Sequence, residues 1–237
     1  MAQDVCDLDS RGIDGWTRLD EQQLAAANID PEMLEDPESG FRAAIYTDGD
    51  GRYVLAFAGT DPKGIRDWIA NFGQGLGLDT EQYAQAEKLS PRAHLAFGDD
   101  LVVTGHSLGG GLAATAALAT DSAAVTFNAA GLHGDTMREI GLTPDGARAL
   151  AESGLVRNYV VDGDALTYVQ EESRELAPFA PDAVGHKVEL ADPHSFWEHL
   201  HPLNLWEPSH RVRLHLMDAV LEAMQKDRPW QGRASAA

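Results

Sequence analysis

The chain predicts an α/β architecture: a mainly parallel central sheet with helices on both faces. Short β-branched runs alternate with helical segments between about residues 80 and 161. At one junction, Leu101 to Ala114, a Gly-rich bend separates an apolar run from an Ala-rich stretch, the pattern of a strand feeding a helix through a tight turn. The third observation is size. With 237 residues and 43% hydrophobic content, the chain can bury one substantial core, so a single domain over residues 1–237 is expected, with 229–237 as a flexible tail.

Leu19 to Ala27 reads as a short helix, after which Asp30-Pro31 and Asp36-Pro37 break the chain. Phe41 to Tyr46, the turn Asp48-Gly49-Asp50-Gly51 and Tyr53 to Phe57 read as a hairpin that adds antiparallel strands at one edge. The turn is not a calcium loop, because Gly59 stands where the twelfth-position acid would be needed. Ile65 to Phe72 has helical spacing with Trp68, Ile69 and Phe72 apolar, and Gly73 to Gly77 is a Gly-rich exit. A helix from Thr80 to about Leu89 precedes the strand and helix of the Gly-rich junction. Ala124 to Asn128 is the next strand, and Thr143-Pro144 starts a helix running to about Ser153-Gly154, with a capping threonine and proline at the first helical position. Leu155 to Val161 is a strand leading into Asp162-Gly163-Asp164. From Glu171 to Ser209 prolines at 178, 181, 193, 202 and 208 interrupt an apolar stretch carrying Phe179, Phe196, Trp197 and Trp206, and no regular element accounts for it. A closing helix is expected from near Arg213 to Gln225, with Leu214, Met217, Val220, Leu221 and Met224 facing the core.

Thirty-eight acidic against eighteen basic residues give a formal charge of −20, which argues against nucleic acid as a partner and against simple adsorption to anionic membranes. Cys6 is the single cysteine, so no intrachain disulfide or cysteine metal cage is expected. No run is long and apolar enough for a bilayer, and residues 1–20 lack the basic start and apolar core of a leader. The expectation is a cytoplasmic location in the producing cell, export by a leaderless route, or a domain from a longer chain.

Gly105-His106-Ser107-Leu108-Gly109 sits in the strand, turn and helix context of a nucleophile elbow, which makes Ser107 the candidate nucleophile. Glycines on both sides let strand and helix approach while the serine takes a strained conformation. The amide of Leu108, at the helix start, would face a developing oxyanion. A serine hydroxyl needs a histidine to take its proton and an acid to orient that histidine. Asp162 and Asp164 both follow a predicted strand, and Asp164 is favoured, with Asp162 as its neighbour or a turn residue. His186, His194, His199, His201, His210 and His215 all follow the acid; His215, taken to stand at the entry to the final helix, is the choice. His194, His199 and His201 lack the spacing of a helical zinc motif, so no metal and no cofactor are expected.

These residues also resemble a known family. Ala58-Gly59-Thr60, Asp67 to Phe72, Thr104 to Gly110, and Asp164 followed by Ala165-Leu166 look like the class 3 lipases, which include fungal-type triacylglycerol lipases and bacterial phospholipase A1 effector relatives. The resemblance is good over roughly 40–170 and weak over the last fifty residues. It implies an α/β-hydrolase fold, an oxyanion hole made by Thr60 and Leu108, Asp164 as acid, and a histidine before a closing helix, for which His215 is the counterpart. Two departures concern substrate and lid: Ala58 replaces the family's arginine, and only Asp61 to Gly64 and 73–77 stand near the usual place of the lid helix. Residues 178–208 offer a lid or an acyl-chain groove instead. The expected activity is serine-dependent hydrolysis of a lipid ester at a membrane surface, a phospholipid losing one acyl chain. A triacylglycerol lipase or small-ester carboxylesterase would use the same residues, and an inactive hydrolase fold acting as a binding module is the reading from another class. Effector relatives also imply an immunity or delivery partner protein.

Overall fold

The computed structural model describes residues 1–60, 80–173, 180–194 and 207–231. Nine strands among these residues form one sheet: β1 (Gly12–Ile13), β2 (Trp16–Arg18), β3 (Glu35–Asp36), β4 (Phe41–Thr47), β5 (Tyr53–Phe57), β6 (Leu101–His106), β7 (Ala123–Phe127), β8 (Val156–Val161) and β9 (His186–Leu190). Their order is β1-β2-β4-β5-β6-β7-β8-β9, with β3 paired to β4. β5 to β9 are parallel and in chain order, while β1 to β4 add antiparallel pairings at one edge. The expected hairpin is therefore β4–β5, in register from Thr47 opposite Tyr53 to Ala43 opposite Phe57.

Alternation along the strands divides the core into two layers, as the period of two requires. Leu55, Phe57, Leu101, Val103, Ala124 and Val156 face one side. There they meet α2 (Thr80–Phe97) and α3 (Leu108–Thr120), whose Leu89, Leu112 and Ala116 are fully buried. On the opposite face, Phe127, Tyr159, Val161 and Leu190 pack against Leu214 and against Met217, Val220 and Ala223. The first of these belongs to α7 (Glu207–His215) and the other three to α8 (Met217–Asp227). Helices thus cover both faces of a mainly parallel sheet, as the sequence predicts. α1 (Glu21–Ala26), within the short helix expected over Leu19 to Ala27, carries a capping box between Asp20 and Gln23. α4 (Gly134–Glu139), α5 (Pro144–Leu150) and α6 (Ala165–Thr167) are short connectors, and Thr143 caps α5 as its sequence suggested.

Several expectations are corrected. α2 runs through Pro91 to Phe97 instead of ending near Leu89, since burial of Leu89 and Ala93 against α3 outweighs the lost hydrogen bond. The closing helix is two helices, broken at Leu216, whose backbone is extended (φ −70°, ψ 148°). His215 accordingly ends α7 and directly precedes Leu216, the N-cap of α8, so it does stand at the entry to the final helix, with a further helix before it. β9 lies within the stretch for which no regular element was foreseen. Pro229 to Gln231 form a 3-10 turn at the start of the expected tail. The helix at 65–72, the lid counterparts at 61–64 and 73–77, Phe179, Phe196, Trp197, His199, His201 and Trp206 lie outside the described residues. No helix among the described residues is long and apolar enough to cross a membrane.

The N-terminal segment is tied to the sheet through Tyr46, fully buried in β4, whose hydroxyl donates to Asp4 Oδ2 at 2.7 Å. Burial and the bond to Asp4 push the Tyr46 phenol well above its usual range. A folded-state value raised in this way adds stability below the unfolded value near pH ~10 and loses it as pH rises beyond. Tyr46→Phe should therefore cost about 1 kcal/mol at neutral pH and unfold less steeply above pH ~10 than the parent, as alkaline thermal melts would show.

Candidate active site

β6 delivers His106, and the next residue, Ser107, bends the chain with φ 57° and ψ −126°. That backbone conformation is strained for any side chain. Four hydrogen bonds hold it: the Ser107 N–H donates to Phe127 O at 3.0 Å, and its carbonyl accepts from Gly110 at 2.9 Å, Gly111 at 3.2 Å and Ala130 at 2.9 Å. Glycine is required where the strand and helix close on each other. A Cβ on Gly105 would lie 2.0 Å from Gly109 O, and one on Gly109 would lie 2.3 Å from Phe57 O. α3 begins at Leu108, so the first amides of the helix, which have no intrahelical acceptor, lie beside the serine.

The chain leaving β5 runs against this bend. A Cβ on Gly59 would stand 2.6 Å from His106 O and 3.5 Å from the Ser107 Cβ. Thr60, the next residue, borders a cavity of about 190 Å³ with Gly59, His106, Leu216 and Met217. Its buried Oγ1 has no hydrogen-bond partner among the described residues, an orphaned donor one residue on from Gly59.

Asp164 follows β8 as the N-cap of α6. Its Oδ2 accepts from the Thr167 N–H at 2.7 Å and from the Thr167 hydroxyl at 2.8 Å. Its Oδ1 stands 2.6 Å from His215 Nδ1, and His215 Nε2 stands 2.9 Å from Ser107 Oγ. A carboxylate can only accept, so Nδ1 carries the ring proton and Nε2 is left to accept from the serine hydroxyl. Ser107 and Asp164 are 1% exposed and His215 not at all, so the chain of three is shielded from competing water. Residues separated by 51 and 108 positions are thereby joined in one relay. The arrangement can deprotonate a serine hydroxyl and stabilise the imidazolium that results.

A family model described as phospholipase-like, a Tle-like phospholipase domain, matches residues 1–192. The chain belongs to the Tle-like phospholipase family. It is 43% identical over 240 residues to the extracellular phospholipase A1 of Serratia liquefaciens, a match that covers all of this chain and 72% of that protein. Among solved structures, a mutant form of MDLA from Penicillium cyclopium aligns at TM-score 0.43 and 17% identity, over 68% of this chain and 62% of that one. Carboxyl esterase 2 of the mycorrhizal fungus Tuber melanosporum aligns at TM-score 0.28 and 16% identity, over 77% and 86% of the two chains. The chain thus spans less than two thirds of the first of these structures. As a Tle-like phospholipase the protein is a hydrolase that acts on lipids. The family match spans Ser107 and Asp164 and stops before His215.

The other candidates in this Tle-like phospholipase stand apart from the relay. Asp162 donates its N–H to Leu190 O at 2.8 Å and lines a separate groove with His186, Lys187 and Asp227. His194 and His210 gather around Asp192 instead of joining Ser107, with three ligand-type atoms within 4.8 Å of one another. These three could hold a cation. Asp192 is already engaged, accepting from His210 Nε2 at 2.8 Å and from the His194 N–H at 2.8 Å, and the Arg213 guanidinium stands 3.5 Å from His194 Nε2, where it opposes a second positive charge. Sequence reasoning missed Asn128 and Thr167. Asn128 follows directly from β7, beside the elbow strand, with φ 40°, and an asparagine at such a strand end was the available signal.

Proposed function

We propose that this chain is a serine phospholipase of the A1 type, with Ser107 as nucleophile, His215 as general base and acid, Asp164 as the orienting carboxylate, and Thr60 and Leu108 as the oxyanion hole. The observation that carries the reading is the continuous hydrogen-bonded path from Asp164 through His215 to the strained serine. Ser107 Oγ attacks the acyl carbonyl carbon while its proton passes to His215 Nε2. Negative charge forms on the former carbonyl oxygen, opposite the Leu108 amide and the Thr60 amide and hydroxyl. Collapse breaks the ester bond, the Nε2 proton goes to the departing glycerol oxygen, and a lysophospholipid leaves. Water, deprotonated by the same histidine, then releases the fatty acid from Ser107.

Phospholipid is favoured over triglyceride by the family and by the name of the Serratia relative. With a charge of −20, approach to zwitterionic head groups is easier than to anionic ones. The relative's description as extracellular supports action outside the producing cell, where an immunity or delivery protein would be the matching partner. The test is product mass spectrometry on phosphatidylcholine carrying different acyl chains at the two positions, with triglyceride and short-chain ester controls. Release of the sn-1 fatty acid, absent in Ser107→Ala, is expected. Cleavage confined to short water-soluble esters would overturn the substrate assignment.

Thr60→Val removes the orphaned hydroxyl and keeps the side-chain shape. Turnover should fall about a hundredfold, the order found for loss of one oxyanion donor, with the melting temperature unchanged. Parallel losses of activity and stability would make the threonine structural.

A further inference from the structure

Leu216 breaks the path of α7 into α8, and a helix that stops leaves its last carbonyls without N–H partners of its own. Arg213 O receives the Leu216 N–H at 3.2 Å. The next two carbonyls are served from the sheet. Asn128 Nδ2 donates to Leu214 O at 3.1 Å and to His215 O at 3.2 Å, and His106 Nε2 donates to His215 O at 2.6 Å. A carbonyl oxygen has two lone pairs, so the one on His215 is saturated by these two side chains.

Both donors stand on rigid strand ends. His106 closes β6 and pairs in register with Phe127, the last residue of β7, directly before Asn128. Asn128 is itself locked in place: its N–H donates to Tyr159 O at 2.9 Å, and its Oδ1 accepts from the Val161 N–H at 3.0 Å. Ser107 is anchored to the same strand end through Phe127 O. The serine and the histidine, 108 residues apart, therefore share one mechanical frame.

We propose that His106 and Asn128 are positioning residues for the reaction, which by clamping the carbonyl of His215 hold its imidazole in line between Asp164 and Ser107. The proposal rests on the serine-hydrolase reading above. The clamp acts on the main chain of the residue that carries the ring, so a small rotation there moves Nε2 off the serine. Displacements of about 1 Å in such a relay lower rates on the order of a hundredfold. His106 suits the task because it stays a neutral donor. Bonding to a carbonyl fixes its proton on Nε2, and burial together with the neighbouring His215 pushes its imidazole down to about 3. It adds no second positive charge beside the imidazolium formed during turnover, although the two rings lie only 4.9 Å apart.

A clamp that only capped α7 would affect stability and not turnover, and this separates the two roles. Wild type, His106→Phe, His106→Gln and Ser107→Ala are compared on the same phosphatidylcholine assay. Each is also followed by thermal melting and by the low-field proton resonance of the Asp164–His215 hydrogen bond. His106→Phe keeps a ring and removes the donor, while Asn128 still serves the carbonyl, so the fold is retained. Its kcat should fall between about tenfold and a hundredfold with KM nearly unchanged, and the low-field signal should shift or broaden. His106→Gln places an amide N–H within reach of the same oxygen and should recover most of the rate and the signal. Full activity in His106→Phe, or equal losses in the Phe and Gln variants, overturns the clamp. His106→Leu carries the same comparison with Gln if the larger ring prevents folding. Undiminished activity in Ser107→Ala would instead overturn the serine reading on which the clamp rests.

Discussion

Ser107→Ala is expected to lower kcat on the order of a million-fold while shifting stability by no more than about 1 kcal/mol. The size of the kinetic loss follows from the proposed two-step reaction, in which the hydroxyl forms the covalent intermediate and no neighbouring group can replace it. The stability change is small because only one hydrogen bond is lost and the backbone strain is the same for serine and alanine. Alanine leaves His215 Nε2 without the donor it had at 2.9 Å, and keeps the same unfavourable backbone. Ser107→Gly should separate the bond from the strain. With φ 57° and ψ −126°, residue 107 lies in a region that glycine alone visits freely, so the glycine variant should melt higher than the alanine variant and be equally inactive. A fluorophosphonate probe should label the parent and neither variant. Labelling of either one would move the nucleophile to another residue. A higher melting point in a dead variant would also measure how much stability the bend gives up to present its hydroxyl.

The elbow was legible because its geometry is local. Gly105 is dictated by a contact with Gly109, four residues on, and the strand before them and helix after them carry their own periodicities; only the demand of Phe57 on Gly109 is distant. The same holds for the β4–β5 hairpin and for the cap of α5, where turn and capping residues announce themselves within a few positions. His215 was chosen for its place at the entry to the final helix, and a family resemblance that thins toward the chain's end gave it a counterpart. Its local context was misread: the apolar spacing of Leu214, Met217, Val220 and Leu221 suits one uninterrupted helix. What interrupts it at Leu216 is tertiary, the capture of the Leu214 and His215 carbonyls by Asn128 and His106 from strands formed by distant residues. β9 escaped notice for a related reason. Lys187 to Leu190 alternates polar and apolar over only four residues within a Pro-interrupted stretch, and it becomes a strand because β8 offers a parallel edge, with Tyr159 opposite Val188 and Val161 opposite Leu190.

Asp164→Asn is expected to lower kcat about ten-thousandfold, the second-largest loss, because the two carboxylate oxygens have separate jobs that an amide cannot both perform. Oδ2 caps α6 through Thr167, and Oδ1 holds the proton on His215 Nδ1. In the variant, an amide oxygen kept on Thr167 turns the NH2 group toward His215. Nδ1 must then accept, the ring proton moves to Nε2, and the histidine can no longer take the serine's proton. With the amide reversed, the tautomer survives but the Thr167 N–H loses its acceptor, and stability should fall by about 1 kcal/mol. The variant therefore distinguishes its own two outcomes: a dead enzyme of parental stability, or a weakened fold with residual turnover. The two part-buried Thr167 contacts, one from the N–H and one from the hydroxyl, favour the first. Asp162→Asn provides the contrast, since Asp162 lines the groove beside β9 and makes no link to His215; its turnover should stay within about twofold of the parent. Steady-state rates and melting temperatures for the two variants, measured side by side, would assign the acid, and a larger kinetic loss at position 162 would reverse the assignment.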